Sequence, residues 1–108
     1  MLNELKIMLG IEEKDTDADT LITLIVTKTT QRLKNKLNVE IVPAELDYIV
    51  FEIAVKRWNR IGAEGMASQT IEGKSETFQE SDFDEFKDDI QAWLDRQNDK
   101  KRGKVRFL

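Results

Sequence analysis

The sequence predicts a mainly α protein: a small bundle of about four helices, a long loop or β-hairpin between the last two long helices, and an extended C-terminal tail. Three observations predict it. Apolar residues recur at helical spacing through most of the chain. About twenty small, polar and glycine-bearing residues interrupt that pattern between Ile61 and Ser81. The composition, 40% hydrophobic and 35% charged, is that of a globular chain with a solvated exterior. At 108 residues one domain is expected: a helical domain over 1–98, with the arm at 62–80, and a basic tail over 99–108.

In chain order, Leu2, Leu5, Met8 and Leu9 share a face of a short first helix, and Gly10 suits its stop. A polar connector follows, whose Asp and Thr residues suit capping of the next helix. From about Asp17 to Leu37, Leu21, Ile22, Leu24, Ile25, Val26, Leu33 and Leu37 form the apolar set, with acids first and Lys28, Arg32, Lys34 and Lys36 later, as a helix dipole favours. The β-branched run Thr27, Thr29, Thr30 weakens this helix. Pro43 sits where a first helical residue belongs. Leu46, Ile49, Val50, Ile53, Ala54, Arg57, Trp58 and Ile61 then follow spacings of 3, 1, 3, 1, 3, 1, 3, with Phe51 and Val55 widening the face. This is the expected central helix, and Gly62 is its expected end. A last helix starts with Ser81 as N-cap and Asp82, Asp84 and Glu85 in its first turn. Phe83, Phe86, Ile90, Trp93, Leu94 and Gln97 run down its face towards a frayed end near Asn98. Within the arm, Thr70-Ile71 and Thr77-Phe78 flank Gly73, the pattern of a loose hairpin. Such a hairpin is marginal alone and needs a surface to lie on.

Charge is segregated. Residues 1–61 carry 9 basic and 10 acidic side chains, residues 62–99 carry 3 and 11, and residues 100–108 carry 5 and none. The tail Lys100, Lys101, Arg102, Lys104, Arg106 and Phe107 thus suits docking on something negative, with a solubilising tail as the alternative. No basic helix face is expected beside it, so sequence-specific DNA reading is not expected.

The chain has no Cys and no His, which removes disulfides, thiolate nucleophiles and imidazole ligands. Asp15, Asp17 and Asp19 alternate as in a calcium loop, but Thr20 and Val26 stand where that loop needs Gly and Glu. Gly62-Ala63-Glu64-Gly65 follows a helix and lacks the Lys-Ser/Thr ending of a phosphate loop. No catalytic residue, metal or cofactor is nominated. No apolar run approaches the roughly 18 residues of a membrane span, and a signal-peptide pattern is not seen at residues 1–9. Trp58 and Trp93 are expected as core anchors.

From Ile49 to Phe86 the string IVFEIAVKRWNRIGAEGMASQTIEGKSETFQESDFDEF resembles the head–tail connector (adaptor) family of long-tailed bacteriophages. There an apolar helix ends in an Arg/Asn-rich turn, followed by Gly-x-Glu-Gly, a Ser-containing stretch, a Gly-x-Ser turn, an aromatic and an acidic helix. Asn59, Arg60, Gly62, Glu64, Gly65, Ser68, Gly73, Ser75 and Phe78 match, and the pattern from Leu5 to Ile25 is also similar. The resemblance implies a structural virion protein made in the host cytoplasm. It implies a ring, commonly of about twelve copies, below the portal at the head–tail junction. Its partners would be other copies of itself, the portal protein, the next head-completion or tail protein, and double-stranded DNA in passage. The matched residues would form the subunit-joining arm. A small helical DNA-associated regulatory protein of phage or prophage, using the basic tail, stays open as the second reading.

Overall fold

The apolar spacings become four α-helices among the described residues: α1 (Leu2–Leu9), α2 (Asp19–Leu37), α3 (Asp47–Ala63) and α4 (Lys87–Arg106). Two 3-10 segments, Ala44–Leu46 and Glu80–Phe86, lead into α3 and α4. The computed structural model describes residues 1–63 and 78–106, with side chains through 61 and from 78 to 100. No strand occurs among the described residues.

Local chemistry sets the ends. Gly10 takes a left-handed conformation (φ 75°), which an L side chain resists, and it closes α1. Its N–H donates to the Ile7 carbonyl, and the Ile11 N–H reaches back to Lys6. Asn38 (φ 57°) does the same for α2, with Val39 N–H donating to Lys34. Asn is among the few non-glycine residues that tolerate this geometry. Pro43 precedes the 3-10 turn in an extended conformation, and its carbonyl accepts from Leu46 N–H.

α3 lies at the centre, packed on α1, α2 and the Glu80–Phe86 segment. Its sides feed two apolar clusters. In one, Ile49, Val50 and Ile53 meet Leu33 and Leu37 of α2, Phe83 and Phe86 of the 3-10 segment, and Ile90 and Trp93 of α4. In the other, Ala54 and Ile61 meet Leu5 of α1 and Ile22 and Ile25 of α2. Ile53 is fully buried, so truncation to Ala should cost about 2–5 kcal/mol. Trp93 is buried and Trp58 half-buried, the expected anchors.

Several expectations change. Residues 99–106 of the tail are helical where an extended segment is expected, because α4 runs unbroken to Arg106. No proline interrupts residues 99–106, cationic residue types suit a helix C-terminus, and Gly103 costs only about 1 kcal/mol in a helix interior. Helix α3 continues through Gly62 to Ala63. At the other end of the predicted arm, Glu80 is in the 3-10 segment. The predicted hairpin between them lies outside the described residues. Ser81 is not an N-cap: it sits inside the 3-10 segment, its hydroxyl paired with the Gln79 side chain. Nor do the connector acids cap α2, whose N-cap is Ala18 with no side-chain bond. Asp15 instead accepts from Asp17 N–H, and Asp19 is the first helical residue. Met8 points to solvent, 62% exposed.

Candidate functional site

The described residues stop at Ala63, at the end of α3, and resume at Phe78, and one buried polar cluster ties α3 to the segment that follows Phe78. Arg57 stands on the apolar face of α3, only 2% exposed. Its Nε donates to Asp82 Oδ2 at 2.9 Å, Nη1 to Thr29 Oγ1 at 3.0 Å, and Nη2 to the Gln79 carbonyl at 3.2 Å. The Thr29 hydroxyl, fully buried on α2, donates in turn to the Ile25 carbonyl at 2.8 Å. The guanidinium lies 5.3 Å from the Phe78 ring centroid and 5.7 Å from that of Phe83. One turn on, Arg60 reaches both oxygens of Asp82, Nη1 to Oδ2 at 3.1 Å and Nη2 to Oδ1 at 2.5 Å.

Asp82 is therefore a carboxylate at 3% exposure shared by two guanidinium groups. Burial pushes its carboxyl up, but the hydrogen bonds from Arg60 and Arg57 outweigh that and hold it below the usual carboxylate value. Burial is also what lowers Arg57 from its ordinary value, with the Asp82 contact acting against it. Around the cluster, Glu80 pairs with Arg32 at 3.3 Å and with Lys36. The Lys36 hydrogen bond lowers the Glu80 carboxyl despite some burial. Such a network fixes where the arm begins and ends. It offers no nucleophile.

Of the predicted arm residues, Asn59 is exposed, Arg60 is half-buried on Asp82, Gly62 is in the last turn of α3, and Phe78 is half-buried under Arg57. Glu64, Gly65, Ser68, Gly73 and Ser75 lie outside the described residues. In the predicted docking tail, Lys100 is exposed on α4, Lys101, Arg102, Lys104 and Arg106 continue that helix, and Phe107 lies outside the described residues. The structure thus joins Arg60 and Phe78 through Asp82 and Arg57, two residues the prediction left out of the site. Arg57 had a signal, a cation within a run of apolar positions. Asp82 had none that separates it from Asp84 and Glu85.

A basic helix face, which was not expected, is present on α2. From Thr20 to Leu37 this helix carries Lys28, Arg32, Lys34 and Lys36 and no acid. Lys28, Gln31, Arg32 and Asn35 are exposed. With Arg57 and Phe78 they line an open groove of about 350 Å³. The spacing was visible, but these cations also read as dipole complements at a helix end.

No group of three or more metal-ligating side chains occurs among the described residues, and none of their helices is long and apolar enough to cross a membrane. Neither the curated proteins nor the solved structures gave a match. A family model described as the phage gp6-like head–tail connector protein matches residues 1–93. That span covers α1 to α3, the Glu80–Phe86 segment and the first seven residues of α4, and it includes the whole Arg57–Asp82 cluster; the chain belongs to this family of structural phage proteins of the head–tail junction.

Proposed function

We propose that this chain is a ring subunit, with copies closing a ring below the portal, extending the DNA channel and giving the next head-completion or tail protein a platform. The observation that carries the reading is the match of residues 1–93 to the connector family. Two features of the fold support it. A closed ring needs lateral contacts through two different surfaces of one subunit, and this subunit has a basic α2 and an acidic 80–99 region, where 8 acids outnumber 2 bases. Its last helix also continues past the core. Beyond Leu94 the residues through Lys100 are exposed except the half-buried Gln97, and α4 ends about 18 Å past Leu94, at Arg106.

In this reading the arm residues Asn59 to Phe78 join neighbouring subunits, and the cationic end of α4 (Lys100 to Arg106, with Phe107 beyond) docks on an acidic site of the portal. Residues 1–98 act as the body and 99–108 as the docking element. The test is negative-stain imaging of the protein mixed with its portal. Added ring density below the portal is expected, and its absence under every condition would overturn the proposal. Deleting 99–108 should lower portal incorporation while leaving the helical body folded.

A further inference from the structure

Taking the ring reading as its basis, we infer that the groove on α2 receives the acidic stripe of α4 from a second copy of this chain, forming the lateral contact. The groove is lined by Lys28, Gln31, Arg32, Asn35, Arg57 and Phe78. Lys28 and Arg32 are one turn apart on an exposed face, about 6 Å from each other. Among the described residues Lys28 has no ion pair, and Arg32 spends part of its charge on Glu80 at 3.3 Å. Among the described residues, the groove is thus a cationic surface only partly neutralised.

The matching surface lies on the same chain. Asp88, Asp95 and Asp99 are exposed and spaced by seven and four residues, so they form one stripe along α4. Two neighbouring acids are held by α3, Asp89 by Tyr48 and Glu85 by Lys56, whereas the groove is built from α2, Arg57 and Phe78. The two surfaces are made by different residues, as a heterologous contact requires. A stripe with two acids one turn apart, Asp95 and Asp99, meets a groove with two cations at the same spacing. Pairing of this kind sets register and orientation, and it weakens with salt. Duplex DNA is the competing ligand for the groove. The acidic stripe of net opposite sign on the same chain favours self-recognition.

The experiment is a charge swap read by sedimentation velocity and native mass spectrometry on the full chain, free and with portal. One variant carries Lys28→Glu and Gln31→Glu, the other Asp95→Lys and Asp99→Lys. All four positions are solvent-exposed, so both variants should fold, and thermal melts are the control. Each alone should lose assembly about tenfold or more, and the mixture of the two should recover it. Wild-type assembly should also weaken between about 0.1 M and 0.5 M salt. If the single variants assemble like the wild type, or the mixture does not recover, this interface is wrong while the ring stands. If Lys28→Glu/Gln31→Glu loses duplex DNA binding but keeps assembly, the groove belongs to DNA. If wild-type protein never assembles, free or on portal, the ring reading falls as well.

Discussion

Lys6 and Arg57 are both almost fully buried, at 3% and 2% exposure, and each holds a loop in place, yet they do it by different chemistry. Lys6, on α1, donates to the carbonyls of Glu13 at 3.2 Å and Asp15 at 2.7 Å, and its ammonium lies 2.6 Å from Asp19 Oδ1. That last contact is an ion pair whose alignment falls short of a hydrogen bond. A compact ammonium with three donors suits a nest of backbone oxygens. It is a cation supplied by the chain at the connector that a calcium loop superficially matches. Arg57 instead uses a planar fork to join three places in the chain: Thr29 of α2, Asp82 of the 3-10 segment and the Gln79 carbonyl near the end of the predicted arm. Its partner carboxylate is as buried as it is, whereas Asp19 is 30% exposed. Water can therefore stand in for Lys6 in part, but not for Arg57 or Asp82.

Asp82→Ala breaks this contrast most severely. It strands a buried guanidinium and deprives Arg60 of its carboxylate, which should cost about 3–5 kcal/mol by urea unfolding. Arg57→Lys should rescue little, since one ammonium cannot reproduce the fork. Should Asp82→Ala cost less than about 1 kcal/mol, the cluster is solvated and does not fix the arm's ends.

Lys6→Met should cost less, about 1–3 kcal/mol, because the freed carbonyls border an exposed connector and Asp19 regains water. The loss should be local. Hydrogen exchange should speed up around residues 11–18, while amides in α3 keep their protection. Equal acceleration in both regions would mean that the two clamps act as one.

Acid provides a graded version of the first test. The Asp82 carboxyl is lower in the folded chain than when unfolded. Its contribution is therefore present above the unfolded value, near 4, and is lost as pH falls through the folded one. Glu80 is lowered in the same sense by Lys36. Glu45 is lowered by its own backbone hydrogen bond first and the Trp93 indole second. Stability should fall steeply below about pH 4, and the gap between wild type and Asp82→Asn should narrow over the same range. A gap that stays constant with pH would show that Asp82 ionisation contributes nothing.

The same contrast explains what could be read from sequence. The helices were legible because burying a face imposes a period, and α3, with both flanks covered, shows the cleanest one. Gly10 was legible because its φ of 75° is one that glycine takes freely. Polar residues at buried positions carry no such period. Thr29 looked like a weak helix residue and is a hydrogen-bonded link to Arg57. Asp82 looked like one of three dipole-complementing acids, and only the tertiary approach of α3 singles it out. Lys6 sits one turn after Leu2, but nothing in the connector announces two carbonyls turned towards it. The tail was expected to be extended, while cations at that end of the chain are also what a helix terminus tolerates best.

The smallest expected effect comes from an exposed contact, which shows how little the same atoms matter outside the core. Tyr48 on α3 donates its phenol to Asp89 Oδ2 of α4 and is 40% exposed. The hydrogen bond to Asp89, then burial, then the nearby carboxylates push the phenol from 10.0 up to about 12. The sign is that of a raised value: the contribution is complete below the unfolded value and is lost as pH rises through the folded one. At neutral pH, Tyr48→Phe should therefore cost less than about 1 kcal/mol. An ultraviolet titration should place the phenol near 12 in the wild type and return it towards 10 in Asp89→Asn. Unchanged titration in Asp89→Asn would mean that the start of α4 is held on α3 by Phe86, whose ring meets Tyr48 edge-on at 6.2 Å, and not by this hydrogen bond.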